Sequence, residues 1–268
     1  MWSALQFEFM RNAVLSGVII SILCGIIGTL VVVNRLVFMT GGIAHAAYGG
    51  VGLAIYTGMS PFLGASIFSV VTSLVMGVVT LRDKDRADTV IGVLWAVGMA
   101  TGIIFVDLSR GYNVDLMSYL FGSILSVPKM EILISALFTA LVIAGVYFSY
   151  KELIAVSYDE EFSYVMGIPV RLLYFLILIF TGLSVVIAMR MVGLILVIAL
   201  ISIPPYIAEN YTHSLAQMMV LSCLLGIFFT ISGLWISYYF NISPGASIIL
   251  MSGSGFFISY FLRIFEKR

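Results

Sequence analysis

Charge is what this sequence has least of. Asp, Glu, Lys and Arg make up 10% of its 268 residues, against about 25% in an ordinary soluble domain. The 13 basic and 13 acidic residues cancel, so no excess positive charge exists to hold a nucleic acid. Cysteine is almost absent: Cys24 and Cys223 stand far apart in apolar runs, which excludes a disulfide framework and a thiolate metal cluster. There is no Gly-x-x-x-x-Gly-Lys-[Ser/Thr] phosphate loop, no His-Glu-x-x-His and no Ser/His/Asp set placed within the apolar runs. No row of carboxylates that would relay protons runs through the apolar segments. In their place stand hydrophobic residues, 62% of the chain, with a mean hydropathy of +1.15. A chain of this size cannot hide that much apolar surface in a water-soluble core. The solvent for this sequence is a lipid bilayer.

The scarce charges measure out the chain. A helix needs about 20 largely apolar residues to cross a hydrocarbon layer of roughly 30 Å. Arg11 to Arg35 encloses 23 uncharged residues, one span, and Arg35 to Arg82 encloses 46, two spans broken at Gly58-Met59-Ser60-Pro61. Asp88 to Asp107 encloses 18, Glu131 to Lys151 19, and Arg171 to Arg190 18. Arg190 to Glu209 encloses 18 more and is expected to close at Pro204-Pro205. Glu209 to Arg263 encloses 53, divided at Asn241-Ile242-Ser243-Pro244-Gly245. The reading is an all-α, polytopic bundle of 8–9 transmembrane spans, forming one transmembrane domain over residues 1–268. Period-2 alternation is missing, which excludes a β-barrel. The first run is too long for a signal-peptide core and reads as a retained helix.

With nine spans, one side collects Arg35, the charged connections 82–88 and 151–171, and the tail Arg263, Lys267 and Arg268. That side holds nine Lys/Arg and the other four, Arg11, Arg110, Lys129 and Arg190. The positive-inside rule then places the carboxyl terminus in the cytoplasm and the amino terminus outside.

Few polar groups lie within the spans. His45, about ten residues beyond Arg35, falls near mid-membrane. A neutral imidazole there serves either as a hydrogen-bond partner for a neighbouring helix or as a ligand for Zn²⁺, Mn²⁺ or Fe²⁺. His213 follows a helix end and reads as a surface residue. Asp107, Asp115 and Glu131 fall on or near the outer side, where they read as solvated loop charges, as partners for Arg110 and Lys129, or as groups that attract a cation. Gly41-Gly42, Gly49-Gly50 and Gly253-Ser254-Gly255 let helices approach closely.

Several segments carry a family resemblance. The run Asn113-Val114-Asp115-Leu116-Met117-Ser118-Tyr119-Leu120-Phe121-Gly122-Ser123-Ile124-Leu125 resembles a signature of permeases in zinc, manganese and iron ABC importers, often called ABC-3 metal permeases. Ile43-Ala44-His45-Ala46, Phe162 through Gly167-Ile168, Met191-Val192-Gly193 through Pro204-Pro205, and Ser243-Pro244-Gly245-Ala246-Ser247 agree in order. The match runs nearly end to end.

That resemblance implies a fold similar to type II ABC importer permeases, in a prokaryotic cell membrane. It implies a transport subunit with no resident cofactor that moves a divalent metal ion, with ATP bound on a separate partner. The partners implied are a second copy of the chain, two cytoplasmic ABC ATPase subunits and an extracytoplasmic metal-binding protein. His45 would meet the metal and Asp115 would stand at an outer gate. The segment containing Pro204, Pro205, Tyr206, Glu209, Asn210 and His213 would couple to the ATPase. One position departs: where the family usually has an aspartate four residues before the histidine, this chain has Gly41. A permease of similar fold for a siderophore or cobalamin chelate is the alternative, and an ATPase-independent secondary transporter a further one.

Overall fold

The computed structural model describes residues 6–82, 87–109, 122 and 124–266. The described residues form the α-helices α1 (Glu8–Val33), α2 (Val37–Thr57), α3 (Pro61–Arg82), α4 (Ala87–Leu108), α5 (Lys129–Phe148), α6 (Tyr150–Tyr158), α7 (Glu160–Val165), α8 (Val170–Val192), α9 (Leu194–Glu209), α10 (Leu215–Phe240) and α11 (Pro244–Glu266). Among them eight are long and apolar enough to cross a membrane, and α9 is a shorter apolar helix. The breaks fall where the turn residues stand. Gly58 takes the left-handed conformation at φ 74° and caps α2, and Pro61 opens α3, a first-turn position that asks for no N–H. Asn241 caps α10 in the same conformation, and Pro244 opens α11.

The helices gather into two compact units. The first contains α1, α5, α9, α10, α11 and the last residues of α8. Here α1 and α10 run antiparallel. A Cβ on Gly17 would meet Thr230 at 2.5 Å and one on Gly25 would meet Cys223 at 2.7 Å. Along the same seam the hydroxyls of Ser21 and Thr230 lie 3.0 Å apart and those of Thr29 and Ser222 3.3 Å apart. Such intramembrane hydrogen bonds average only about 0.6 kcal/mol, so close packing of the two backbones dominates the seam. Helix α11 turns back on α10, with Gly233 against Ile248 and Gly255 against Phe229. At the other end Lys129 Nζ meets Glu8 at 2.6 Å and Arg190 meets Glu131 at 2.7 Å. The starts of α1 and α5 and the end of α8 therefore share one end of the unit.

These contacts fix a direction for α9. It leaves that end after Gly193 and passes Gly28, late in α1, with Ile201 and Pro205. It finishes beside the last turns of α11, where Tyr211 accepts a 3.1 Å hydrogen bond from Ser259. Only 16 residues long, it carries the chain from the Gly193 end toward the end of α11. The start of α1 and the end of α11 thus lie at opposite ends.

The proline pair does not end the helix as expected. Helix α9 continues through Pro204 and Pro205 to Glu209, and both prolines are buried. Pro205 offers no N–H to the carbonyl of Ile201, four residues back. That carbonyl instead packs against Gly28, where a Cβ would come within 2.3 Å of its oxygen. The freed carbonyl thus faces the neighbouring helix at close range, and membrane bundles tolerate proline inside a helix packed in this way.

The second unit contains α2, α3, α4, α6, α7 and most of α8. Helices α2 and α4 run parallel and touch at backbone level. A Cβ on Gly52 would lie 2.2 Å from the Gly102 carbonyl oxygen, one on Gly49 2.9 Å from that of Gly98, and one on Gly42 2.4 Å from Ile91. Helix α3 crosses antiparallel to α2, with Gly64 against Gly50 and Met76 against Gly42. Helix α8 closes the other side of α3, Gly77 meeting Phe175 and Leu178 and Gly182 meeting Ser69 and Ser73. Helix α2 is the least apolar of the eight long spans and the most buried, with 78% of its span window inside. Most of its residues meet protein rather than lipid, which frees its composition from the need to be strongly apolar.

Candidate functional site

The interior position of α2 carries the histidine. Because α2 and α4 meet at glycines, their side chains between those contacts are brought face to face, and the His45 ring stacks on Trp95 of α4. The ring centroids are 4.0 Å apart and the planes 12° from parallel. The indole holds the imidazole by its face and leaves both nitrogens at the edge free of it. Nδ1 is buried and has no hydrogen-bond partner. A buried polar atom left unpaired costs about 1–3 kcal/mol, so a ligand with an open coordination position would relieve it. The sequence left open whether this histidine bonds a neighbouring helix. It stacks on one and its Nδ1 bonds to none.

Four residues earlier on the same helix, a Cβ on Gly41 would meet nothing within 4 Å. The open space lies one turn from the imidazole. Among the described residues no three His, Cys, Asp or Glu side chains come together as a metal cage. Asp115, the expected outer-gate residue, and Arg110 lie outside the described residues.

Two of the motif segments meet. Gly122 (φ 55°) and Gly193 (φ 85°) both hold left-sided backbone conformations, and a Cβ on Gly122 would come 2.2 Å from the Gly193 nitrogen. Gly122 and Gly193, one from each motif, therefore meet at a contact that only glycine permits on the Gly122 side.

The expected coupling residues divide by exposure. Pro204 and Pro205 are inside α9, whereas Tyr206, Glu209 and His213 reach solvent and Asn210 is half-buried. The segment is braced on α11: Tyr206 packs on Phe256 with ring centroids 5.3 Å apart, and Arg263 donates to the Asn210 side-chain oxygen. The main-chain N–H of His213 donates to Gln217 over 3.3 Å.

A second exposed feature is the elbow between α6 and α7, within the motif Phe162 through Gly167-Ile168. Asp159 caps α7 by accepting from the Phe162 N–H at 2.9 Å, and Gly167 at φ 80° ends the turn. The elbow presents Tyr158, Phe162, Tyr164, Val165 and Met166 to the outside, each at least 60% exposed. The signal was present as aromatic residues inside the most polar connection of the chain.

Comparison with known proteins agrees with this architecture. The model of the ABC 3 transport family matches residues 6–263. An uncharacterized membrane protein of Synechocystis sp. is 46% identical over 263 residues, covering 98% of this chain and 94% of that protein. The manganese transport system membrane protein MntC of Halalkalibacterium halodurans is 30% identical over 257 residues, 96% of this chain and 88% of that one. The solved structure of PsaBC from Streptococcus pneumoniae in complex with Fab superposes with a TM-score of 0.86 at 31% identity, covering 97% of this chain and 94% of that one. A stretch of 6–263 takes in nearly all the helices described above, and this multi-pass membrane protein belongs to the ABC 3 transport family.

Proposed function

We propose that the chain is the permease subunit of an ABC importer that moves a divalent transition-metal ion, zinc, manganese or iron, into the cytoplasm by alternating access. The whole chain acts as one permease domain, paired with a second copy. An extracytoplasmic binding protein delivers the ion, and two ATPase subunits on the cytoplasmic side hydrolyse the ATP. The manganese transport role named for MntC supports metal as the cargo. The carboxyl terminus is cytoplasmic and the amino terminus outside, supported by the opposite ends of α1 and α11 in their unit and by the basic residues of 151–171 and the tail.

The observation that carries this reading is the buried, unpartnered Nδ1 of His45 on the interior helix. A single neutral imidazole binds Zn²⁺, Mn²⁺ or Fe²⁺ weakly, with water or other groups completing the shell. Passage requires a site strong enough to admit an ion and weak enough to release it. The test is uptake by the chain reconstituted with its ATPase and binding protein, supplied with Mn²⁺, Zn²⁺ or Fe²⁺. His45→Ala is expected to reduce uptake at least tenfold with folded protein retained. Undiminished uptake of every ion would remove His45 from the pathway.

A second reading, a metal chelate as cargo, draws on the open space at Gly41. It predicts that the chelated ion competes better than the free one. For coupling, the exposed Tyr206, Glu209 and His213, with Asn210 beside them and Pro204 and Pro205 beneath, form one docking surface for the ATPase, and the α6–α7 elbow forms another. Asp115 is kept as the outer-gate residue. Its replacement by Asn is expected to slow uptake without altering basal ATP turnover.

A further inference from the structure

In the second unit, the end of α3, the start of α8 and the start of α7 enclose an open crevice of about 450 Å³, lined by Val78, Leu81, Arg82, Glu160, Arg171 and Phe175. Its size falls within the range of ligand sites, roughly 300–1,000 Å³. Arg82 closes α3 and Arg171 lies in the first turn of α8. The antiparallel contact of the two helices puts both residues at the same end, where apolar spans give way to the membrane surface. Both arginines are exposed, and neither pairs with a described carboxylate.

The walls below them are apolar. On the adjoining helix faces Val71, Val75 and Leu172 are 52%, 43% and 58% exposed, an apolar surface continuous with the crevice walls. Two guanidinium groups above an apolar slot match a molecule with a phosphate at one end and an alkyl chain at the other. Glu160 lines the same crevice and is already engaged by another group, so the phosphate contacts fall to the two arginines.

We propose that this crevice binds an anionic phospholipid of the phosphatidylglycerol class, its phosphate between Arg82 and Arg171 and one acyl chain along Val78, Leu81 and Phe175. The site requires neither the metal cargo nor His45, and it holds whichever membrane face this end occupies.

The experiment measures thermal unfolding of the purified full chain in detergent while phosphatidylglycerol, phosphatidylcholine or glycerophosphate is titrated in. Phosphatidylglycerol is expected to raise the midpoint saturably and phosphatidylcholine to do so far less. The double variant Arg82→Gln/Arg171→Gln should bind phosphatidylglycerol about tenfold or more weakly, in line with two lost surface cations. Arg82→Lys/Arg171→Lys, which keeps the charge, should retain most of the effect and shows that the fold tolerates change there. Equal shifts from the two lipids would overturn the proposal, as would a full response in the double Gln variant. Glycerophosphate matching the lipid would mean an anion site with no acyl component. ATPase addition that abolishes the lipid response and itself needs both arginines would make the crevice a protein-docking face, and the lipid assignment would fall.

Discussion

At the scale of single residues, two positions concentrate the consequences of close packing. Gly28 lies against the Ile201 carbonyl that Pro205 leaves without its helical donor, so any side chain there displaces α9 from α1. Gly28→Ala is expected to cost about 1–3 kcal/mol, the usual penalty for overpacking a filled core. A lowered unfolding midpoint in detergent would register it, and an unchanged midpoint would mean that α9 shifts freely. Trp95 is a positioning residue for His45, since its indole fixes the imidazole plane across 4.0 Å. Trp95→Ala is expected to raise the metal concentration needed for half-maximal uptake severalfold while leaving the maximal rate less affected, and Trp95→Phe should recover most of the loss. Equal effects on both parameters would indicate a structural role only. The stacking pair was invisible in the sequence because partners fifty residues apart leave no periodic trace, whereas His45 itself stood out as an ionisable group in an apolar run.

At the scale of elements, the charged residues located nearly every helix correctly because charge is excluded from the hydrocarbon layer. The turns at Gly58 and Asn241 followed from residues that tolerate the left-handed conformation. Helix α9 was harder to read. Pro204-Pro205 looks like a terminator, and only the glycine of another helix, 177 positions away by number, reveals why the helix survives. The two exposed surfaces proposed for ATPase docking can be separated by substitution. Phe162→Asp with Val165→Asp alters the α6–α7 elbow, and Tyr206→Ala with His213→Ala alters the α9–α10 turn. Co-purification of the ATPase should fall markedly for whichever surface carries the contact. If both variants retain the ATPase in full, neither surface is the docking site.

At the scale of the whole molecule, composition alone decided the environment, and the resemblance of separated segments decided the family. The division into two compact units was not legible, because it rests on which glycines face which backbone rather than on any local pattern. The proposed orientation predicts that a single cysteine introduced near the carboxyl terminus, in a variant with Cys24 and Cys223 replaced, reacts with a membrane-impermeant maleimide only after the cells are opened. One introduced at the amino terminus should react in intact cells. Labelling of both ends from the same side would mean that α9 does not cross.

The brevity of α9 also bears on how the protein is made. Sixteen residues extend about 24 Å as a helix, short of the roughly 30 Å that a self-sufficient span requires. A nascent chain ending at Glu209 therefore presents the insertion machinery with a segment too short to settle alone, whose proline break lies against α1. Helix α1 is made first and is already present when α9 emerges, so this segment relies on a partner near the start of the chain as well as on α11 near its end.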